Sequence, residues 1–359
     1  MAKSFYAPEL DGLRFIAALL VFFNHAPPLD GRFFEILHLY GWIGVDLFLC
    51  ISVFLLTVLL NLEWAETGTI HVGKFFVRRI LRIWPLYFSY TAVMCAYAGF
   101  YLAMDPGLVS AWWLSFVSFS NNLLTALKGY SPIPGTPHLW TISLEEQAYC
   151  VIPFLILAFH RGGARRRDLQ VFFGGGIALL IMARFSLYLA DAPHPFVWVL
   201  PVRADSFLAG ALAAFCIDHR PGKYSLAVFG AGVLIMASTV LAPPISTHSL
   251  AQVFGYTTIA IGCGIVVFFC RTAAPINRFL ALPTMRYFGK ISYGIYVYQF
   301  VGIGLVLEAS KWWGFEDHRA IFAMSLILTL GLSACSYAFL ERPFLSLKGK
   351  FQFVASRPL

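Results

Sequence analysis

The chain has 359 residues, of which 59% are hydrophobic and only 12% are charged. Soluble domains carry about 25% charged residues, so this composition excludes a soluble protein and predicts a polytopic membrane protein. The formal net charge of +8 does not indicate nucleic-acid binding, because the basic residues lie between apolar stretches, where they set membrane topology. The seven cysteines form no CxxC pair, and no H-E-x-x-H, G-x-S-x-G or P-loop motif occurs, so we expect no metal site.

Ten apolar stretches are long enough to cross a bilayer. They lie at roughly 10–26, 42–61, 84–104, 139–160, 170–190, 196–217, 225–243, 249–270, 291–309 and 320–341. With the N-terminus in the cytoplasm, six of the 26 Lys and Arg fall away from the cytoplasmic side, namely Arg32, Lys128, Arg184, Arg203, Lys311 and Arg319. This bias predicts an all-α membrane bundle of about ten transmembrane helices with both termini cytoplasmic. We expect a single integral-membrane domain over residues 1–359, with no soluble C-terminal domain.

The first apolar stretch carries two ionisable residues, Arg14 near its start and His25 near its end. An Arg at a helix centre costs roughly 2.5–3.5 kcal/mol, so such a residue is a candidate for function. Arg14 is alternatively a snorkelling anchor, and His25 an interfacial imidazole bonded to a loop. As a neutral imidazole, His25 is also suited to accept a proton from a hydroxyl nucleophile.

A basic segment precedes the third apolar stretch and contains Arg78, Arg79 and Arg82. Positive-inside topology accounts for basic residues at this place. The three arginines also fall within about one helical turn, which is a geometry able to surround phosphate oxygens. The segment therefore has a topological interpretation and an anion-binding one.

Two adjacent carboxylates, Glu145 and Glu146, lie in the first turns of the fourth apolar stretch, at the end opposite the cytoplasm. Carboxylates at a membrane entrance need partners. We expect Glu145 to lie next to His25, like a base and its orienting carboxylate. Asp46 lies at a similar depth and is a second candidate for this role.

Arg203 and Asp205 lie at a similar depth in the sixth apolar stretch. They either neutralise each other, neutralise charged residues on other helices, or contribute to a functional site.

Sequence motifs in a fixed order follow the chain from end to end. They are Leu10 to Arg14 with His25, Gly44 to Phe48, Phe76 to Pro85, His138 and Trp140 to Tyr149, Arg203 to Gly210, Ser292 to Tyr296, and Glu341 to Phe344. With these motifs the chain resembles the acyltransferase 3 family of integral membrane O-acyltransferases from bacteria. Two positions depart from the family pattern: Gln299 stands where His is frequent, and Val53 stands where Gly is usual.

The resemblance implies transfer of an acyl group, commonly acetyl, from cytoplasmic acyl-CoA to a hydroxyl of an extracytoplasmic glycan or lipid-linked acceptor. It implies a multi-pass protein of the bacterial inner membrane with acyl-CoA as donor substrate. His25 is then catalytic, oriented by Glu145 or Asp46, and a covalent acyl-His intermediate is the second route. Arg14, Arg78, Arg79 and Arg82 are the expected donor-binding residues. The expected acceptor-binding residues are His138, Trp140, Arg203, Asp205 and Gln299.

A transporter or flippase for a lipid-linked glycan is the alternative function. In that interpretation Arg14, Arg203 and the acids near the outer face line a translocation path. Transporters often contain inverted repeats, and the sequence shows no convincing pair.

Overall fold

The computed structural model describes residues 5–216, 222, 224–245 and 247–354, and this part of the chain is helical and contains no strand. Lys3, Arg220, Lys223 and Arg357, which the charge bias predicts to be cytoplasmic, lie outside the described residues. The prediction of an all-α membrane bundle is confirmed.

The helices of the first half are α1 (Pro8–His25), α2 (Arg32–Tyr40), α3 (Ile43–Thr67), α4 (Val72–Ala96), α5 (Pro106–Val117), α6 (Asn121–Lys128), α7 (Trp140–Arg161) and α8 (Arg166–Leu189). Those of the second half are α9 (Pro195–Trp198), α10 (Asp205–Phe215), α11 (Ser225–Ala237), α12 (Leu250–Phe269), α13 (Ala274–Leu280), α14 (Pro283–Lys290), α15 (Ser292–Trp313), α16 (His318–Ser336) and α17 (Arg342–Leu347).

Five helical segments of the described chain are long and apolar enough to cross a membrane: α3, α7, most of α8, α12, and the segment His318–Phe351 that begins with α16. A sixth arises if α14 and α15, which meet at a bend of 67°, count as one span. The chain is therefore a multi-pass membrane protein, and the number of ten spans stays a prediction. Helix α1 carries Glu9, Asp11 and Arg14, more charge than an ordinary span tolerates.

The sixth predicted stretch, 196–217, is not one helix, and this part of the prediction is wrong. The chain there forms α9, a 3₁₀ turn over Pro201–Arg203, and α10 of 11 residues. Proline lacks the amide hydrogen that a continuous helix needs, which interrupts the helix before α10. The break places Arg203 just before α10 and Asp205 at its first residue, where both are buried.

Helix α1 lies inside the bundle, where it packs against α3, α13, α14 and α15. Two glycines make this approach possible, because a Cβ at Gly12 would collide with the backbone of α13, and one at Gly289 with the backbone of Asp11. The position of α1 is thereby fixed, with Arg14 in its second turn and His25 as its last residue. Eleven residues separate the two side chains by about 16 Å along the helix axis.

Candidate active site

Three adjoining cavities run along α1 from its first residues to its last. The basic cavity, about 80 Å³, lies where α1 begins, and the aromatic cavity, about 810 Å³, lies where α1 ends. The middle cavity, about 70 Å³, lies between them. The basic and middle cavities share Arg14, Arg79 and Arg82, whereas the middle and aromatic cavities share Val45, Thr141 and Tyr296.

The basic cavity brings together the four arginines that the sequence predicts to bind the donor. Arg78, Arg79 and Arg82 project from adjacent turns of α4, and Arg14 reaches the same space from α1. Residues 348–354 close another side of the cavity, which Lys348 also lines. The cavity thus concentrates positive charge at the end of the bundle where the chain begins.

The four arginines differ in their partners. Arg78 donates one hydrogen bond to Glu63 at 3.1 Å and another to the Phe351 carbonyl at 2.6 Å. The Arg79 guanidinium lies 4.8 Å from the Tyr149 ring centre. Arg82 has no hydrogen bond or ion pair to any residue that the structure describes, and it lines two cavities. Arg82 is therefore the arginine most free to engage a bound anion.

Glu145 lines the middle cavity rather than the aromatic one. Its carboxylate accepts a hydrogen bond from the hydroxyl of Tyr149, one turn further along α7. Ser52, from α3, and Tyr293, from α15, line the same cavity. The middle cavity therefore has a polar lining between the arginines and the aromatic cavity.

A pair of hydroxyl groups separates the middle and aromatic cavities. The hydroxyls of Thr141 and Tyr296 lie 2.5 Å apart, and the Tyr296 hydroxyl also donates to the His138 carbonyl at 2.6 Å. We call Thr141 and Tyr296 the hydroxyl latch. Both residues are buried and line both cavities, so they form part of the boundary between the two.

His25 lines the aromatic cavity, where its ring centre lies 4.6 Å from that of Phe300. Its Nδ1 lies 3.3 Å from the Oε1 of Gln299. Eight of the other 18 lining residues are Phe, Trp or Tyr: Tyr40, Trp42, Tyr130, Trp140, Trp198, Tyr256, Tyr296 and Phe300. The half-buried imidazole of His25 therefore faces a wide space with aromatic walls.

Neither Glu145 nor Asp46, the two carboxylates predicted to orient His25, forms a hydrogen bond with it in the described part of the chain. Asp46 accepts hydrogen bonds from Arg203 and, at 2.9 Å, from the hydroxyl of Ser206. Glu145 is bonded to Tyr149 beside the middle cavity. Both carboxylates already have partners, because an unpaired charge in the bundle would be costly.

Arg203 and Asp205 do not neutralise each other; each pairs with a residue of another helix, which was one of the three alternatives. Arg203 pairs with Asp46 and lines the aromatic cavity, with its guanidinium 4.6 Å from the Tyr256 ring centre. Asp205 pairs with Arg184 of α8, at 2.9 Å between Nη2 and Oδ1, and accepts from Thr257 at 2.6 Å. Asp205 is thus part of a closed network behind the cavity, away from the acceptor position expected for it.

His138 and Trp140, two of the residues predicted to bind the acceptor, line the aromatic cavity. The His138 ring stacks on Phe300 at 4.7 Å, on the ring that also contacts His25. Burial lowers the pKa of His138 to about 3, so this imidazole is neutral at physiological pH.

Two important residues, Thr141 and Tyr296, carried no specific signal in the sequence, and a third, Gln299, was given another role. The hydroxyls of Thr141 and Tyr296 are ordinary members of longer motifs, and nothing in their spacing indicates that they meet. Gln299 was expected to contact the acceptor, whereas its nearest functional neighbour is His25. Within the described residues, no group of three or more His, Cys, Asp or Glu side chains is arranged to hold a metal ion.

Comparison with known proteins decides the family. The model of the acyltransferase 3 family, described as an acyltransferase domain, matches residues 8–338. The chain belongs to this family. The peptidoglycan O-acetyltransferase OatA of Listeria monocytogenes is 24% identical over 359 residues, which cover 94% of this chain and 56% of that protein. The O-acetyltransferase OatA of Staphylococcus aureus is 24% identical over 364 residues, which cover 94% of this chain and 57% of that protein.

The chain thus spans a little more than half the length of these two relatives. No solved structure matches it.

Proposed function

We propose that this chain transfers an acetyl group from cytoplasmic acyl-CoA to a hydroxyl group of an extracytoplasmic glycan, in the bacterial inner membrane. The observation that carries the proposal is the series of three cavities with shared lining residues, which extends from four arginines at one end of α1 to His25 at the other. An enzyme whose donor and acceptor lie on opposite sides of a membrane needs sites arranged in such a series.

The basic cavity is the proposed donor site. Guanidinium groups recognise phosphate through charge-assisted and often bidentate hydrogen bonds, and CoA carries several phosphate groups. The positive-inside rule places this end of the bundle in the cytoplasm, where acyl-CoA is found. The extended pantetheine arm then enters the middle cavity and carries the thioester towards the hydroxyl latch.

The aromatic cavity is the proposed acceptor site. Sugar rings present apolar C–H faces that pack on aromatic rings, and Trp42, Trp140 and Trp198 supply such surfaces. Asn24 and Arg203 line the same cavity and offer hydrogen-bond donors for sugar hydroxyls. The name of the Listeria relative includes peptidoglycan, which also favours a glycan acceptor.

In the proposed reaction His25 takes the proton of an acceptor hydroxyl, and the hydroxyl oxygen attacks the thioester carbonyl. The tetrahedral intermediate collapses as the carbon–sulfur bond breaks. The CoA thiolate leaves and recovers a proton from the imidazolium, and the acetyl ester stays on the acceptor. His25 is unchanged after one cycle, and neither an oxidant nor a metal takes part.

The test uses purified protein in lipid nanodiscs with acetyl-CoA and soluble peptidoglycan fragments. Calorimetry measures donor binding, and mass spectrometry measures CoA release and acetylated glycan. We expect the wild type to bind acetyl-CoA and form ester, and His25→Ala to bind with unchanged affinity but form none. His248→Ala is the matched control, because His248 is exposed and lines none of the three cavities.

Two results would contradict the proposal. One is well-folded wild-type protein that binds no acetyl-CoA. The other is His25→Ala that forms ester at the wild-type rate. Glycan movement across a vesicle membrane without CoA release would support the transporter alternative instead.

A further inference from the structure

Gln299 lies within α15, and its side chain forms two hydrogen bonds. Its side chain is fully buried, with 0% exposure. Its Nε2 donates to the Tyr296 carbonyl at 3.0 Å, and its Oε1 lies 3.3 Å from the Nδ1 of His25. The amide therefore links the helix that carries the hydroxyl latch to the proposed base.

These two contacts determine which way the amide faces. A backbone carbonyl only accepts hydrogen bonds, so the group that faces Tyr296 must be the NH₂. The Gln299 oxygen consequently faces His25, and it only accepts as well. The Nδ1 of His25 must then carry the hydrogen, which leaves the lone pair of the neutral imidazole on Nε2.

No other side chain in the described part of the chain is placed to set this tautomer. The two carboxylates expected to do so are bonded elsewhere, Asp46 to Arg203 and Glu145 to Tyr149. Phe300 contacts the His25 ring at 4.6 Å and restricts its plane, but it has no hydrogen-bonding group. The side chain that bonds the imidazole is thus a neutral amide.

We infer that Gln299 is the positioning residue of the reaction, because it holds His25 as the Nδ1–H tautomer and leaves Nε2 to take the proton of the acceptor hydroxyl. This inference rests on the proposed function. It also reassigns Gln299, which the sequence places among the residues that bind the acceptor. A bond to the second nitrogen of an imidazole typically fixes the tautomer of a base or ligand.

The first test compares two replacements of similar size. Gln299→Met removes the acceptor, and Gln299→Glu in its protonated form keeps both an acceptor and a donor. We expect Gln299→Met to lower kcat about 10- to 100-fold with an unchanged Kd for acetyl-CoA, which is the factor typically lost when the residue that orients a metal-binding histidine is removed. Gln299→Glu should retain most of the wild-type kcat.

Two outcomes of this test would overturn the inference. Gln299→Met with wild-type kcat would show that the hydrogen bond is dispensable. Equal losses in Gln299→Met and Gln299→Glu would show that Gln299 acts through packing or contacts the acceptor.

The second test reads the tautomer without any turnover. Protein with ¹⁵N-labelled histidine in nanodiscs is compared with His25→Ala to assign the His25 signals. We expect the wild type to show a protonated Nδ1 and an unprotonated Nε2, and Gln299→Met to show a mixture of tautomers. An Nε2–H tautomer in the wild type would overturn the inference. Because this measurement needs no acetyl transfer, its failure is distinguishable from failure of the proposed function.

Discussion

Arg78 and Arg82 look equivalent in the sequence, but the structure predicts different consequences when each is replaced by alanine. Arg82 has no partner among the described residues and lines both the basic and the middle cavity. Arg78 is paired with Glu63 at 3.1 Å, and the Glu63 side chain is only 3% exposed. Arg82→Ala should therefore affect donor binding alone, whereas Arg78→Ala should also affect folding stability.

The size of each effect follows from the contacts. A hydrogen bond to a charged group contributes about 1.5–3 kcal/mol, so loss of Arg82 should weaken acetyl-CoA binding roughly 10- to 150-fold. Removal of one partner of a fully buried ion pair costs about 3–5 kcal/mol. Glu63 would keep the hydrogen bond from the His71 amide at 2.9 Å, which reduces the penalty. We therefore expect Arg78→Ala to lose about 1–3 kcal/mol of folding stability.

Two measurements on each variant separate these effects. Calorimetry in nanodiscs gives the Kd for acetyl-CoA, and thermal unfolding of the protein without ligand gives the relative stability. Arg161→Ala is the control for charge, because Arg161 is exposed at the end of α7 and lines none of the cavities. Arg82→Ala should have a raised Kd and wild-type unfolding, and Arg161→Ala should resemble the wild type in both.

Unchanged acetyl-CoA affinity in Arg82→Ala would show that the guanidinium group of Arg82 does not bind the donor. Wild-type thermal stability of Arg78→Ala would refute the assignment of Arg78 as the partner that Glu63 needs.

Three further predictions concern the latch, the buried ion pair and helix packing. Tyr296→Phe removes one hydroxyl of the latch and therefore weakens the barrier between the middle and aromatic cavities. The rate of CoA release in the absence of acceptor, measured by mass spectrometry, should then increase. An unchanged rate would contradict a barrier at this position. Asp46→Asn should destabilise the protein by about 3–5 kcal/mol, because Arg203 loses its charged partner. The double variant Asp46→Asn with Arg203→Gln should recover part of this stability in thermal unfolding. Failure to recover it would contradict a stabilising ion pair between Asp46 and Arg203. A Cβ at Gly210 would collide with the backbone of α3, whereas one at Gly174 meets open space. Gly210→Ala should therefore cost about 1–3 kcal/mol, and Gly174→Ala should gain about 0.5–1 kcal/mol in the same assay. Equal stabilities of these two variants would argue against close contact between α10 and α3.

The sequence alone indicated the class of fold and the family. Burial of apolar side chains in lipid depends on stretches of consecutive residues, so the positions of most long helices could be predicted. The common location of Arg78, Arg79 and Arg82 was also predictable, because residues on adjacent turns of one helix must lie near one another. The break before α10 was not predicted, although Pro201 lies in it and a proline interrupts a helix.

Only the tertiary structure decided which polar groups meet. A buried charge must be neutralised, but several partners at a similar depth satisfy that need equally well. The sequence offered Asp205 for Arg203 and Glu145 or Asp46 for His25. The fold instead joins Asp46 to Arg203 across 157 positions and Gln299 to His25 across 274. The local sequence pattern thus determined that charged and polar groups lie inside the membrane bundle. Helix packing determined the partner of each group, because hydrogen bonds and ion pairs depend on distances in space that sequence separation does not set.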